Sequence, residues 1–352
     1  MHRTVDEHAA AIAQLVNFDT GAEEVDLDDA LGRVTAEPVT SPVDLPLFRN
    51  SQMDGYAVRA SDLPGELPVV GEIPARPGDP PPLNPGETVK IMTGAVVPEG
   101  ADTVVPVEVV PVTGGTAVFE TTPVGQYVRE RGSDLRAGDL LVPVGVRLAS
   151  RHLAALAATG LASVSVRRRP RIAIVTTGAE LIEPGATPAM GEVFDSNGVA
   201  LAAAIHTAGG VVASRHHVTD EVRALEHTLR HLDADLVITS GGISMGDHEV
   251  VRQLLEPLGA IVGHVAMQPG GPQATAVFEG MPVICFPGNP VSTQLSFEVF
   301  LAPLLRQHAG LPQAKREQRT LEAAITSVNG KRQFLRGRAQ AEGGVAVVGG
   351  PG

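Results

Sequence analysis

Leu236-Val237-Ile238-Thr239-Ser240-Gly241-Gly242-Ile243-Ser244-Met245-Gly246-Asp247 is a short apolar run followed by paired glycines, hydroxyls and a carboxylate. An apolar run of that length, bounded by turn residues, reads as a strand buried on both faces. The same pattern recurs on either side. Arg171–Thr176 leads into Thr176-Thr177-Gly178-Ala179-Glu180, and a run at 282–286 leads into Phe286-Pro287-Gly288-Asn289-Pro290-Val291-Ser292. Further strands are expected at 211–215 and 261–266, and helices at 197–208, 219–231, 248–256 and 290–308. Strand, glycine loop and helix alternating at this pace predict a parallel sheet with helices on both faces.

Outside this region the texture changes. Thr4 and Glu7 have capping-box spacing ahead of Ala10, Ile12, Leu15 and Val16, so the chain should open on a helix. A second short helix is expected after Asp26, running through Leu31 and Val34 before Pro38. From about 38 to 147, Val-rich runs (Val69–Val70, Thr103–Val107, Ala117–Phe119, Leu140–Val144) alternate with Pro and Gly clusters, the punctuation of strands joined by tight turns. Ser150 should cap a helix over Arg151–Thr159 that stops at Gly160. Two strands, Ala162–Val166 and Arg171–Thr176, should follow it. The last forty or so residues return to a β-like pattern. The expected class is therefore multidomain α/β plus β.

At 352 residues the chain is long enough for about two or three domains at roughly 150 residues each. Its 43% hydrophobic and 19% charged residues suffice for real cores, which Val, Leu, Ile and Ala must build because aromatics are 3% and Trp is absent. A formal net charge of −13 argues against nucleic acid as a partner. The single cysteine, Cys285, excludes an internal disulfide and a cysteine-based zinc cage. The chain begins without a signal-like apolar stretch, and no run approaches the roughly eighteen apolar residues of a membrane span. A soluble cytoplasmic protein with no membrane partner is the expectation.

Ligands of open parallel sheets collect beyond the carboxyl ends of the strands, where all three glycine segments fall. One glycine after a strand makes only a turn. Three such loops at one edge, each with hydroxyls or an amide, point to a site for phosphate or another oxyanion. None has the spacing of the dinucleotide fingerprint or the Walker loop. Glu180, Asp195, Asp220, Asp247 and Glu249 lie beside these loops. Asp195 and Asp220 read equally well as helix-end residues, but a carboxylate cluster at an anion site suits Mg²⁺. His216 and His217 are adjacent on a strand, so they should face opposite ways and form no metal site.

Read together, these segments resemble the molybdopterin molybdenumtransferases, the family that includes bacterial MoeA and the E domain of gephyrin. In the β-rich part the matching stretches are Ser51-Gln52-Met53-Asp54-Gly55-Tyr56-Ala57, Thr93-Gly94-Ala95, Pro98–Asp102 and Arg129–Asp134. In the α/β part they are 177–181, Asp195-Ser196-Asn197, 240–247 and 287–292. They stand in the family's order and span nearly the whole chain. The resemblance implies a discontinuous domain at 1–44 and 145–170, a β-rich domain at 45–144, an α/β molybdopterin-binding domain at 171–312 and a small C-terminal β-barrel at 313–352, apparently incomplete.

It further implies a homodimer with active sites shared between subunits, and Mg²⁺-dependent insertion of molybdenum from molybdate into adenylylated molybdopterin with release of AMP. Asp54, Thr93, Asp134, Glu180, Asp220 and Glu249 match the family's functional acidic and hydroxyl positions. Gly178, Ser240, Gly241, Gly242, Ser244, Gly246, Pro287, Gly288, Asn289, Ser292 and Arg336 are the implied substrate contacts. Asp247 and Glu249 are the implied metal ligands. The adenylyltransferase of the same pathway and acceptor molybdoenzymes are the implied partners. Tungstate is nearly the size of molybdate, so the choice of oxyanion stays open.

Three departures stand out. Many members carry Met-Lys-Pro-Gly-Lys-Pro where this chain has Met267-Gln268-Pro269-Gly270-Gly271-Pro272, so two cations near the anion are missing. A contact charge at an effective dielectric near 20 is worth roughly 4 kcal/mol. Glu249 replaces the usual Asp and keeps its charge. The sequence stops at Gly352, before the family's last strands and a serine it uses there. A cofactor carrier without turnover, or a dimeric scaffold, are the alternatives.

Overall fold

Both capping bonds expected of Thr4 and Glu7 are made. The Thr4 hydroxyl accepts from the Glu7 amide at 3.2 Å, and the Glu7 carboxylate accepts from the Thr4 amide at 2.8 Å, at the start of α1 (Val5–Leu15). The expected second helix is not formed. Ala22–Asp26 is a strand whose residues alternate exposed and half-buried, and a single 3-10 turn, Leu27–Asp29, follows it. Distant chain has captured the backbone a helix would need. Leu27 donates to the Ala162 carbonyl at 3.0 Å and Gly32 to the Leu148 carbonyl at 2.9 Å.

The computed structural model describes residues 2–243, 249–341 and 343–349. Two compact units emerge, one holding Met1–Glu23, Gly145–Arg147 and Ser165–Gly352, the other Glu24–Val144 and Leu148–Val164. The second unit is built on β1 (Gly55–Val58), β2 (Gly65–Ile73), β3 (Thr88–Ile91), β4 (Thr103–Pro106) and β5 (Thr116–Phe119). With the short strand Val112–Thr113 they form a six-stranded sheet in the order β4-β1-β3-β2-β5-(112–113). Only β2 and β3 pair in parallel. Successive side chains leave a strand on opposite faces, and here Ala57 enters one apolar cluster while Tyr56 and Val58 enter another. The helix α2 (Ser150–Ala158) ends before Gly160, as expected, but Ser150 is not its cap. Ala149 is the cap residue, and it is His152 Nδ1 that accepts the Ala149 amide, at 2.9 Å.

The first unit holds β6 (Arg171–Thr177), α3 (Ser196–Ala208), β7 (Val211–Val218), α4 (Val222–Arg230), β8 (Leu236–Ser240), α5 (Val250–Leu255), β9 (Ile261–Val265), β10 (Pro272–Phe278), β11 (Met281–Phe286), α6 (Pro290–Ser296) and α7 (Ala302–His308). The sheet order is (His2–Arg3)-β9-β10-β11-β8-β6-β7. β11, β8, β6 and β7 run parallel, as the alternating pattern predicts. The prediction missed β10, which is antiparallel to both neighbours. Its cause is a tight hairpin. Glu279 and Gly280 both have positive φ (49° and 89°), the primed turn that suits strand twist.

Both sheet faces are covered. Ile172 and Ile174 of β6 pack with Leu201, Phe286 and Phe297 on one side, while Ala173 and Val175 pack with Leu225, Val251 and Val283 on the other. Cys285 lies wholly inside the second cluster, where burial pushes its thiol up to about 12. Near the end of the chain β12 (Thr320–Leu321), β13 (Gly337–Ala339) and β14 (Gly344–Val347) form a three-stranded sheet in the order β12-β14-β13. Among the described residues that sheet is open rather than a barrel. No helix among them is long and apolar enough to cross a membrane.

Candidate active site

Because β6, β8 and β11 are parallel neighbours, their carboxyl ends reach the same edge, and the three glycine loops line one cleft of about 660 Å³. It collects Gly178, Glu180, Asp220, Ser240, Gly241, Gly242, Glu249, Pro287, Gly288, Asn289 and Ser292, all of them expected from the sequence. Ser244, Gly246 and Asp247 lie outside the described residues. Arg336 is not among the lining residues. Its carbonyl accepts from the Val348 amide at 2.8 Å in the C-terminal segment.

The second loop needs glycine twice. At Gly241, with φ of +99°, a Cβ would lie 2.7 Å from the Thr177 carbonyl oxygen; at Gly242, with φ of +67°, one would lie 2.9 Å from Thr177 Oγ1. The third loop hands over to α6 through Asn289. The Asn289 side chain accepts from the Ser292 amide at 3.1 Å and from the Ser292 hydroxyl at 3.4 Å, with Pro290 at the first helical position.

Asn197 links the loops. Nothing but its place in the Asp195-Ser196-Asn197 motif marks it in the sequence. Its amide donates to Ser240 Oγ at 3.0 Å and to the Gly288 carbonyl at 2.7 Å, so α3 ties the second loop to the third. Asp195 is a helix-end residue, as one reading of the sequence has it: it caps α3 by accepting from the Gly198 amide at 2.9 Å and also accepts from Thr176 Oγ1 at 2.9 Å. Asp220 is not a helix cap. It accepts from the Ala179 amide at 3.0 Å and so holds the first loop. Thr177 Oγ1 is buried and has no hydrogen-bond partner.

The charge distribution is one-sided. Glu180, Asp220 and Glu249 line the cleft, and no Lys, Arg or His does so among the described residues. An anion here would be met by amides and hydroxyls, with carboxylates alongside. Among the described residues no group of three His, Cys, Asp or Glu side chains stands ready to cage a metal. The two positions that depart from the resembled pattern are also occupied. Gln268 Oε1 accepts from Gln333 Nε2 at 3.2 Å, and a Cβ on Gly271 would sit 2.4 Å from His264 Nε2.

In the other unit, Asp54 accepts from the Thr93 amide at 2.7 Å and from the Thr93 hydroxyl at 2.8 Å. The amide bond chiefly, with the hydroxyl bond second, holds its carboxyl below the usual range. Gly55 beside it is required by packing, since a Cβ there would lie 2.5 Å from the Val105 carbonyl. Asp134 is ion-paired with Arg129.

A doubly covered α/β sheet with a glycine-loop cleft at its carboxyl edge, in a chain that also carries a β-rich unit, defines the class as multidomain α/β plus β. Residues 173–307 match the family model described as a probable molybdopterin binding domain, and residues 3–160 match the MoeA N-terminal region (domain I and II). Molybdopterin molybdenumtransferase 2 of Mycobacterium tuberculosis is 39% identical over 99% of this chain and 91% of its own length. A molybdopterin molybdenumtransferase of Nostoc is 40% identical over 82% of this chain and 70% of its own. A solved molybdopterin biosynthesis MoeA protein from Pyrococcus horikosii superposes with a TM-score of 0.83 at 31% identity, covering 99% of this chain and 90% of that one. The chain therefore belongs to the molybdopterin molybdenumtransferase family, the transferases of molybdenum cofactor biosynthesis.

Proposed function

We propose that the chain inserts molybdenum from molybdate into adenylylated molybdopterin and releases AMP, in the cytoplasm and with Mg²⁺. The observation that carries this reading is the cleft itself, where glycine-loop backbone and three carboxylates face one space with no cationic side chain among the described lining residues. Substrate phosphate would be met by the backbone at Gly241 and Gly242, where side chains are excluded, and at Gly288 beside them. Ser292 and Asn289, at the start of α6, offer molybdate a hydroxyl and an amide. Oxygen-only donors suit Mg²⁺, which binds through one or two carboxylates together with substrate phosphate, so Glu180, Asp220 and Glu249 fit it, with Asp247 as a further candidate. When bound, the ion would neutralise charge on the phosphate being cleaved.

The reading includes a homodimer in which Asp54, Thr93 and Asp134 serve the cleft of the partner subunit. It also includes Arg336 as a molybdate contact, the four-domain division of the chain, and the pathway's adenylyltransferase and acceptor molybdoenzymes as partners. Mixing Asp54→Ala and Glu180→Ala chains should restore part of the activity; no recovery would refute the shared site. The central test is turnover with adenylylated molybdopterin, molybdate and Mg²⁺, reading AMP and active cofactor together. Molybdate-dependent AMP release with cofactor formation supports the reaction. A second reading, a carrier without turnover, is favoured by Gln268 and Gly271, since the first is engaged by Gln333 and a side chain at the second would have to displace the His264 ring. Tight pterin binding without AMP release would select it.

A further inference from the structure

We propose that Gln273 is a positioning residue for the cleft wall at Gly270, and that its carbonyl oxygen is completed by one buried water shared with His8 Nε2. Gln273 stands on β10 with 2% of its surface exposed. Its amide nitrogen donates to the Gly270 carbonyl at 2.9 Å and to Ser296 Oγ at 2.7 Å, which uses both of its protons. Gly270 lines the cleft and holds a φ of +95°, a conformation that little besides glycine adopts. Ser296 lies one helical turn beyond Ser292 on α6, and Ser292 lines the same cleft. One buried amide thus ties the wall to the helix opposite.

The other half of the side chain is unmatched. Gln273 Oε1 and His8 Nε2 are both buried, and neither has a hydrogen-bond partner. Buried polar atoms are nearly always paired, with protein or with water. His8 reaches in from α1, its ring edge-on to Phe300 at 4.8 Å between centroids. Both residues line a cavity of about 10 Å³, alongside Arg3, Gly263 and His264. That is about the smallest volume that admits one water, and it admits nothing larger. Burial first, and Arg3 second, bring the His8 pKa down to about 4, so a neutral imidazole meets the water.

The positioning half rests on the cleft being the molybdopterin site; the water does not. The experiment compares the full chain with Gln273→Met, which keeps the volume and loses the amide. Exchange of the Val265 amide, which donates to the Gly271 carbonyl at 2.8 Å, should speed up about tenfold and molybdopterin affinity should fall about tenfold, while exchange at Ala57 in the other unit stays unchanged. A lower Tm with exchange at Val265 and affinity both unchanged would make Gln273 a packing residue and overturn the assignment. If the unaltered chain itself fails to bind molybdopterin, that counts against the proposed function, and the exchange result alone decides the tether. A high-resolution crystal structure should show a single water within hydrogen-bond distance of His8 Nε2 and Gln273 Oε1. A dry cavity there would refute that half.

Discussion

Replacing Asn197 with Asp changes almost no volume, yet it removes both bonds by which residue 197 ties the second loop to the third. Asn197 lines the cleft but is only 8% exposed, so water replaces the lost donors poorly. In Asn197→Asp a carboxylate oxygen faces the Gly288 carbonyl across the present 2.7 Å contact. Ser240 Oγ keeps contacts to Thr293 Oγ1 at 3.2 Å and to the Pro287 carbonyl at 3.4 Å, so the uncompensated group is the Gly288 carbonyl. Two lost bonds at about 1 kcal/mol each, with an unmet buried acceptor, sum to about 3 kcal/mol. Domains are typically stable by about 5–15 kcal/mol, so the variant should fold and be weakened. The chain has no Trp, and its two tyrosines, Tyr56 and Tyr127, lie in the β-rich unit, so far-UV circular dichroism in urea is the assay for the α/β unit. The pH dependence sharpens the test. The new carboxyl is buried against carbonyl oxygens, so its folded pKa rises above the unfolded value near 3.9, and only its protonated form can donate. The deficit should be smallest below about pH 4 and grow as pH rises through the folded pKa. A deficit under about 1 kcal/mol, or one that does not change with pH, would refute the reasoning.

Gly241→Ala should cost more than Gly259→Ala. Both sites have strained φ (+99° and +90°), but only at Gly241 does the new Cβ meet backbone, 2.7 Å from the Thr177 oxygen. Denaturation should show about 1–2 kcal/mol of strain for Gly259→Ala and clearly more for Gly241→Ala, with loss of anion binding in the latter alone. His8 is neutral in the fold with a pKa near 4 against 6.5 for the free side chain, so stability should fall as pH drops from about 6.5 toward about 4, by about 3 kcal/mol in all. His8→Phe should remove that slope, and an unchanged slope in urea titrations would assign it to other groups. Gln268→Lys should tighten molybdate binding by equilibrium dialysis, whereas Gly271→Lys should lower Tm because its Cβ lands 2.4 Å from the His264 ring. Equal tightening by both without a Tm change would contradict the packing at Gly271.

What could be read in the sequence was whatever repeats locally. The runs leading into Thr177, Ser240 and Phe286 give strands from their own composition, and parallel pairing alone then delivers Gly178, Gly241 and Gly288 to one edge. The strand β10 has no turn signal of its own in front of it, since Pro272–Phe278 follows a Pro/Gly cluster; the signal that creates it is the Glu279-Gly280 turn downstream. The helix expected past Asp26 failed for the opposite reason. Its apolar spacing was helical, but carbonyls more than a hundred residues away took its amides.

The cleft's internal bonding was the least legible part, because it depends on register between elements far apart in sequence. Asn197 donates to residues on two other loops, and no spacing rule connects position 197 with 240 or 288. Gly271 shows the same limit. A missing lysine can be read directly as a missing charge, and on that reading restoring it restores the site. Pairing of β9 with β10 sets His264 opposite Pro272, and the ring then fills the space a side chain at 271 would enter. The glycine there abuts the histidine across the strand pair, so a side chain at 271 requires the His264 ring to move. Gly271→Lys alone should be destabilising, and Gly271→Lys with His264→Gly should be tolerated better than either Tm loss would suggest by simple addition.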